Sequence, residues 1–144
     1  MIKEEMKRKQ IDLLVEEFWK LGYLTVSRKL GTYLPEPQKV GKYSVDVIAR
    51  YNKNYAIGLT LNDDELHKSD LMEEIIYLST RKTKFTNKKV MLFLGVGPDH
   101  FQKMRILISS LDENIKKNIK LFNLSERQVS SRHLSKYQTR LFVS

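Results

Sequence analysis

The sequence predicts an α/β domain in which helices flank a mixed β-sheet. Three observations lead to this prediction: an amphipathic stretch opens the chain, two strand-like segments flank the short turn Asn52-Lys53-Asn54, and helix-like and strand-like segments alternate after that hairpin. Strands that alternate with helices pair in parallel, whereas the two strands of a hairpin pair antiparallel. The predicted element order is therefore α-β-β-β-α-β-α-β.

The first half of the chain supplies one helix and three strands. Residues 2–21 place apolar side chains at helical spacing and end before a glycine, which predicts an amphipathic helix. Residues 23–26 have high β propensity, whereas residues 27–40 contain two prolines and predict a loop or an irregular edge strand. The hairpin strands are residues 45–49 and 55–61, and the second is nearly all apolar, which is typical of a central strand.

The second half alternates helices with strands. Polar residues 62–65 suit the start of a helix that continues to a basic connector at residues 81–89. An apolar strand follows at residues 90–94, and Pro98 suits the first turn of the next helix. The last strand is predicted at residues 119–124.

Composition and charge narrow the class of protein. The 144 residues are enough for one domain, so we expect residues 1–144 to form a single unit with a basic, polar tail from about residue 125. Lysine and arginine number 26 against 17 acidic residues, which gives a formal net charge of +9 and favours a polyanionic partner such as nucleic acid.

Several classes are disfavoured by what the sequence lacks. There is no cysteine, which excludes disulfides, thiolate catalysis and thiolate zinc sites. No apolar run approaches the roughly 20 residues of a membrane helix, and the first residues lack the apolar core of a signal peptide. We therefore expect a cytoplasmic protein with no membrane partner.

The first hairpin strand carries one acid, Asp46, within an otherwise apolar segment. Strict strand alternation would place Asp46 on one face with Ile48 and Arg50, and Val45 and Val47 on the other. Two roles remain open for Asp46 at this point. It faces solvent and pairs with a neighbouring cation such as Arg50, or it is a metal ligand.

The element order and this hairpin resemble the restriction-endonuclease-like fold of the PD-(D/E)XK nuclease superfamily, with similarity to the small archaeal Holliday-junction resolvases. The resemblance covers roughly residues 11–124. In that superfamily the first hairpin strand supplies an Asp, the second strand supplies Glu-x-Lys, and the first helix often adds a Glu. The carboxylates hold Mg²⁺ beside the scissile phosphate, and the lysine orients or activates the attacking water.

Carried over to this chain, the resemblance implies that Asp46 is the catalytic residue and a metal ligand, with Glu17 or Glu16 as the helix acid. The Glu-x-Lys triplet falls on Gly58-Leu59-Thr60, which offers neither a carboxylate nor an ammonium group. A Mg²⁺ site with only one or two carboxylates is weak, because this cation needs several oxygen ligands. The chain thus departs from the family pattern at the second half of the site.

Two relocations of functional groups within the chain would restore such a site. Its missing ligands could be relocated to Asp63, Asp64 or Glu65, and its missing cation could come from Lys53 or from a lysine of the next helix. The simpler explanation for the three acids is that they cap a helix N-terminus and complement its dipole.

Basic residues are the other candidate site. Those expected to contact phosphates are Arg28, Lys29, Lys42, Arg81, Lys82, Lys84, Lys88 and Lys89. Phe85 lies within the basic connector, where an exposed ring could stack on a base. The alternative is that these cations are spread around the surface and form no patch.

The predicted function is nucleic-acid binding on a PD-(D/E)XK-like scaffold that has lost catalysis, with DNA expected ahead of RNA. No cofactor is expected for that function, and a second copy of the chain is a further candidate partner. One alternative is a Mg²⁺-dependent DNA endonuclease with relocated ligands. The second alternative is a structural protein-interaction subunit.

Overall fold

A five-stranded mixed sheet runs through the centre of the computed structural model, which describes residues 2–125. The strands are β1 (Leu24–Arg28), β2 (Val47–Tyr51), β3 (Asn54–Leu61), β4 (Met91–Val96) and β5 (Ile119–Asn123). The helices are α1 (Ile2–Lys20), α2 (Asp63–Leu66), α3 (Leu71–Ser79), α4 (Pro98–Ser109) and α5 (Glu113–Lys116). The strand order in space equals the order in the chain, with antiparallel pairing from β1 to β3 and parallel pairing from β3 to β5. The predicted α/β class, with helices flanking a mixed sheet, is confirmed.

The element order differs from the predicted α-β-β-β-α-β-α-β, because two helices of one turn each are added. The helix predicted before the basic connector is divided into α2 and α3, and residues 67–70 separate them. The helix that begins at Pro98 ends at Ser109, and the short α5 follows it. The predicted basic tail lies outside the described residues, apart from Ser125.

Each face of the sheet has its own apolar core. On one face, α1 packs Leu14 and Phe18 against the sheet, and the Phe18 ring stacks on that of Phe93 with centroids 4.2 Å apart. On the other face, α3 and α4 cover the sheet through residues that include Ile75 and Met104. In the described part of the chain, no helix has both the length and the apolar character that crossing a membrane requires.

The backbone bends at Asp46, immediately before β2. Val45 packs in the core beneath α3 and α4, whereas Val47 and Ala49 pack beneath α1. The predicted alternation, which put Val45 and Val47 on one face, is therefore wrong. The predicted solvent-facing role of Asp46 is also wrong, because only 3% of this residue is exposed.

Gly58 lies in β3 directly beneath α1. A Cβ atom at this position would lie 2.8 Å from Phe18 Cε2 and 3.0 Å from Val47 Cβ. The first distance is shorter than real Cβ contacts and the second is shorter than most of them, so a side chain at this position would require α1 or its neighbours to shift. The place where the resemblance puts an acid is filled by the apolar face of α1.

Candidate nucleic-acid interface and the Asp46 cluster

Asp46 is held in a buried polar cluster between α1, β3 and α2. Its Oδ2 atom accepts hydrogen bonds from the Thr60 backbone N–H at 2.7 Å and from the Thr60 hydroxyl at 3.0 Å. Lys7 Nζ lies 3.2 Å from the same oxygen, and Lys29 Nζ lies 3.7 Å from Oδ1. A buried carboxylate is tolerated when it is paired and hydrogen-bonded in this way.

Lys7 is the centre of this cluster. Its ammonium group donates to the Thr60 carbonyl oxygen at 2.7 Å and to the two Glu65 carboxylate oxygens at 2.9 and 3.1 Å. Together with Asp46, these partners surround Nζ with oxygen atoms, and only 16% of the Lys7 side chain is exposed. The ammonium group therefore lies between the two carboxylates, where a bound cation would otherwise be expected.

The acids after β3 have separate partners. Glu65 forms a capping box with Asn62, in which each backbone N–H donates to the other residue's side chain. Asp64 pairs with Lys3 at 3.2 Å, and Asp63 lies 2.9 Å from His100 Nε2. Of the three acids considered as relocated ligands, Glu65 is the one that shares Lys7 with Asp46.

Glu17, the predicted helix ligand, does not occupy the place that Lys7 takes. It lies ten residues after Lys7, which corresponds to about 15 Å along a helix axis. Its carboxylate is buried and pairs with Lys20 at 3.4 Å. Within residues 2–125 no three or more histidine, aspartate or glutamate side chains are placed so that they could hold a metal ion.

Sequence reasoning did not single out Lys7, although a signal was present. Lys7 precedes Ile11 by four residues and Leu14 by seven, so it lies on the apolar face of α1. A lysine on such a face needs a carboxylate partner in the fold. This requirement was the sequence signal that indicated a contact between Lys7 and a buried carboxylate such as that of Asp46.

A cavity of about 320 Å³ adjoins the Asp46 cluster and has charges of both signs. Its lysine and acidic lining residues are Lys29, Lys42, Asp46, Glu65, Lys68, Asp70 and Glu74. Lys68 Nζ donates to the buried Glu74 carboxylate at 2.9 Å, and this hydrogen bond raises the pKa of Lys68 above its ordinary value. With four acids in its wall, this cavity does not suit a phosphate.

A larger groove of about 730 Å³ lies between the β2–β3 hairpin and the connector that precedes β4. We call it the basic groove. Its basic lining residues are Arg50, Lys53, Arg81, Lys82 and Lys84, and none of its described lining residues is acidic. A second cavity of about 560 Å³ shares Arg50 and Lys53 with it and adds Lys88. The groove therefore gathers positive charge from two parts of the chain.

The connector has a defined local structure that presents its basic residues. Val90 N–H donates to the Arg81 carbonyl at 3.0 Å, and Thr83 N–H donates to the Lys88 carbonyl at 2.8 Å, which folds the connector back on itself. Asn87 adopts a positive φ of 54° within this turn. The Arg81 guanidinium stacks over the Tyr77 ring at 3.7 Å, which fixes the start of the connector on α3.

The structure separates seven of the eight predicted phosphate-binding residues into two groups, and Lys89 belongs to neither. Arg28 pairs with Asp12 at 2.8 Å, Lys29 faces Asp46, and Lys42 lines the cavity of mixed charge. Four connector residues line the two basic cavities: Arg81, Lys82, Lys84 and Lys88. Lys89 lies beside other cations, and the charge of Lys117 is the largest cause of its lowered pKa.

Arg50 and Lys53 join the connector residues in the groove, although sequence reasoning did not assign them to phosphate binding. Their available signal was their position, with Arg50 just before the hairpin turn and Lys53 within it, next to Asn52, which has a positive φ of 54°. A cation beside an exposed turn reaches solvent and can also face a neighbouring loop.

Comparisons of this chain with protein-family models, curated proteins and solved structures give no match in any of the three. Inferences about function therefore depend on the geometry of the basic groove and of the Asp46 cluster.

Proposed function

We propose that this protein binds nucleic acid through the basic groove and that it does so without nuclease activity. The observation that carries the proposal is the meeting of Arg50 and Lys53 with Arg81, Lys82 and Lys84 around one groove without an acidic lining residue. Cations grouped in this way neutralise phosphates and release the counterions of the nucleic acid, which drives binding. The net charge of +9 adds long-range attraction for a polyanion.

We include a restriction-endonuclease-like scaffold in this proposal. Its support is the arrangement of α1, the antiparallel strands β1 to β3, and a helical crossover to the parallel strand β4. That arrangement agrees with the fold implied by the hairpin resemblance. Fold alone does not define function, so this part of the proposal assigns no role to Asp46.

The proposed lack of catalysis is supported by the partners of Asp46. Mg²⁺ needs several oxygen ligands in near-octahedral geometry. Here Lys7 takes the space between Asp46 and Glu65, and Thr60 donates two hydrogen bonds to Asp46. This donor set does not fit a Mg²⁺ site, so we derive no reaction step through a metal ion.

The alternative function is a Mg²⁺-dependent DNA endonuclease with relocated ligands. The observation that favours it is that two acids and a lysine, Asp46, Glu65 and Lys7, come together, but this alternative requires Lys7 to leave the space between the two carboxylates. It requires cleavage of linear, branched or single-stranded DNA with Mg²⁺ or Mn²⁺, and loss of cleavage in Asp46→Asn. DNA that remains intact in all these mixtures would exclude this alternative.

The test of the proposed function is the salt dependence of DNA binding, measured by fluorescence anisotropy with a labelled DNA duplex and with an RNA duplex of the same sequence. The double variant Lys82→Ala/Lys84→Ala removes two exposed groove cations. If both contact phosphates, the slope of log affinity against log salt becomes shallower by about 2, since each contact contributes roughly 0.9. We expect the DNA duplex to bind more tightly than the RNA duplex.

The matched control is Lys103→Ala/Arg105→Ala, which removes two exposed cations of α4 that do not line the basic groove. It should leave the slope unchanged. Absence of binding at low ionic strength would overturn the proposed function. Equal losses in the control and in the groove variant would show that general charge, rather than the groove, attracts DNA.

A further inference from the structure

The basic groove has an apolar floor as well as a cationic rim. Its floor is lined by Val40, Ile48, Ile57 and Val90, beside the Tyr55 ring. Phosphates gain nothing from apolar contacts, because they remain hydrated or pair with cations. A ligand that matches both parts of the groove carries flat apolar groups along a charged backbone.

Phe85 adds a second apolar feature at the same place. It lines the groove between Lys84 and Thr86, and 96% of the residue is exposed. Its hydrogen-bonded turn presents the ring to solvent rather than to either apolar core. An exposed aromatic ring among cations is the arrangement with which proteins stack unpaired bases while they bind the neighbouring phosphates.

Duplex DNA cannot use these apolar surfaces fully, because its bases are already stacked and paired. A single strand can place its bases on Phe85 and against the floor, while its phosphates remain near the rim cations. A flexible acidic polypeptide would match the rim but lacks a flat ring at each repeat.

We propose that the basic groove prefers single-stranded nucleic acid, with unpaired bases against Phe85 and the apolar floor and phosphates at Lys82 and Lys84. This inference depends on the proposed function, because it specifies which form of nucleic acid the groove binds. It reverses the order expected from phosphate contacts alone, since a duplex carries more charge for the same length.

The experiment compares three labelled probes that carry equal numbers of phosphates: a thymidine oligonucleotide, an abasic single strand and a DNA duplex. Unlabelled poly-glutamate serves as a competitor. The unaltered protein should bind the thymidine strand more tightly than either other probe. Poly-glutamate, at equal total charge, should displace it less effectively than unlabelled thymidine oligonucleotide does.

The Phe85→Ala variant removes the stacking ring without changing charge. Its affinity for the thymidine strand should fall roughly five- to 150-fold, the range that corresponds to one base–aromatic stack, while binding of the abasic strand and the duplex stays constant. Tyr33→Ala is the matched control, because Tyr33 is 95% exposed and does not line the groove. It should bind all three probes as the unaltered protein does.

The outcomes separate this inference from the proposed function. Equal binding of the three probes, or equal losses in Phe85→Ala for all of them, would overturn the preference and leave nucleic-acid binding in place. Displacement by poly-glutamate as effective as displacement by the oligonucleotide would overturn the role of the bases. Failure to bind any probe at low salt would overturn both proposals.

Discussion

Replacement of Lys7 by methionine tests whether the Asp46 cluster is a structural ion-pair network. Methionine keeps the unbranched apolar stem but removes the ammonium group that contacts Asp46, Glu65 and the Thr60 carbonyl. Removal of one partner of a buried ion pair costs about 3–5 kcal/mol of the free energy of unfolding. We expect about 3 kcal/mol, the lower end of that range, because Lys29 and Thr60 still contact Asp46.

The assay is urea unfolding at neutral pH, supported by thermal melting. A loss of this size corresponds to a fall in Tm of roughly 10 °C for a chain of this length. The matched control is Lys3→Met, one turn earlier in α1, because Lys3 pairs with Asp64 at the surface, where their side chains are 87% and 76% exposed. The control should cost less than about 1 kcal/mol.

The double variant Lys7→Met/Asp46→Asn identifies the cause of the loss. An asparagine oxygen can still accept hydrogen bonds from Thr60, but it no longer buries an insufficiently paired charge. We therefore expect the double variant to be more stable than Lys7→Met alone. The reasoning is refuted if Lys7→Met is as mild as Lys3→Met, or if Asp46→Asn adds its full separate cost to that of Lys7→Met.

Two further predictions concern packing and pH. Gly58→Ala should lower the free energy of unfolding by about 1–3 kcal/mol through overpacking against Phe18. The control Gly97→Ala should cost less, because no atom lies within 4 Å of the added Cβ. Similar urea midpoints for the two variants would contradict this prediction. The hydrogen bond to Glu74 raises the pKa of Lys68 above its ordinary value of 10.5. The contribution of this Lys68–Glu74 pair to stability is therefore complete below pH 10.5 and is lost as the pH rises through the higher pKa of Lys68 in the folded state. Glu74→Gln should therefore flatten the alkaline decline in urea midpoint, and an unchanged decline would argue against this coupling.

The parts of the fold that depend on local pattern could be predicted from the sequence. The apolar spacing of α1 and the hairpin around Asn52 are such local patterns. The divided helix after β3 was missed, because polar residues 62–65 predicted a helix start and the apolar spacing of Leu71, Ile75 and Leu78 predicted a helix, and the two signals belong to different helices, α2 and α3. A capping signal indicates where a helix begins and does not report where that helix ends.

The candidate sites were less predictable because they depend on distant pairs. Lys7 and Glu65 are 58 residues apart, and their contact follows from the packing of α1 across the sheet. The basic connector was recognisable in the sequence by its run of cations, but the sequence did not show that the connector lies beside Arg50 in the fold. The connector lies beside Arg50 because β3 and β4 pair in parallel, with Ala56 in β3 opposite Met91 at the start of β4.

The basic groove and the ion pairs of the Asp46 cluster lie at opposite ends of β3. The basic groove lies by Tyr55 near the start of this strand, and Asp46 bonds to Thr60 near its end, about 16 Å further along an extended chain. Sites this far apart, without shared partners, normally contribute additively. We therefore expect substitutions in the Asp46 cluster to change the Tm without changing the affinity proposed for the basic groove, and substitutions in the groove to change that affinity without loss of folding.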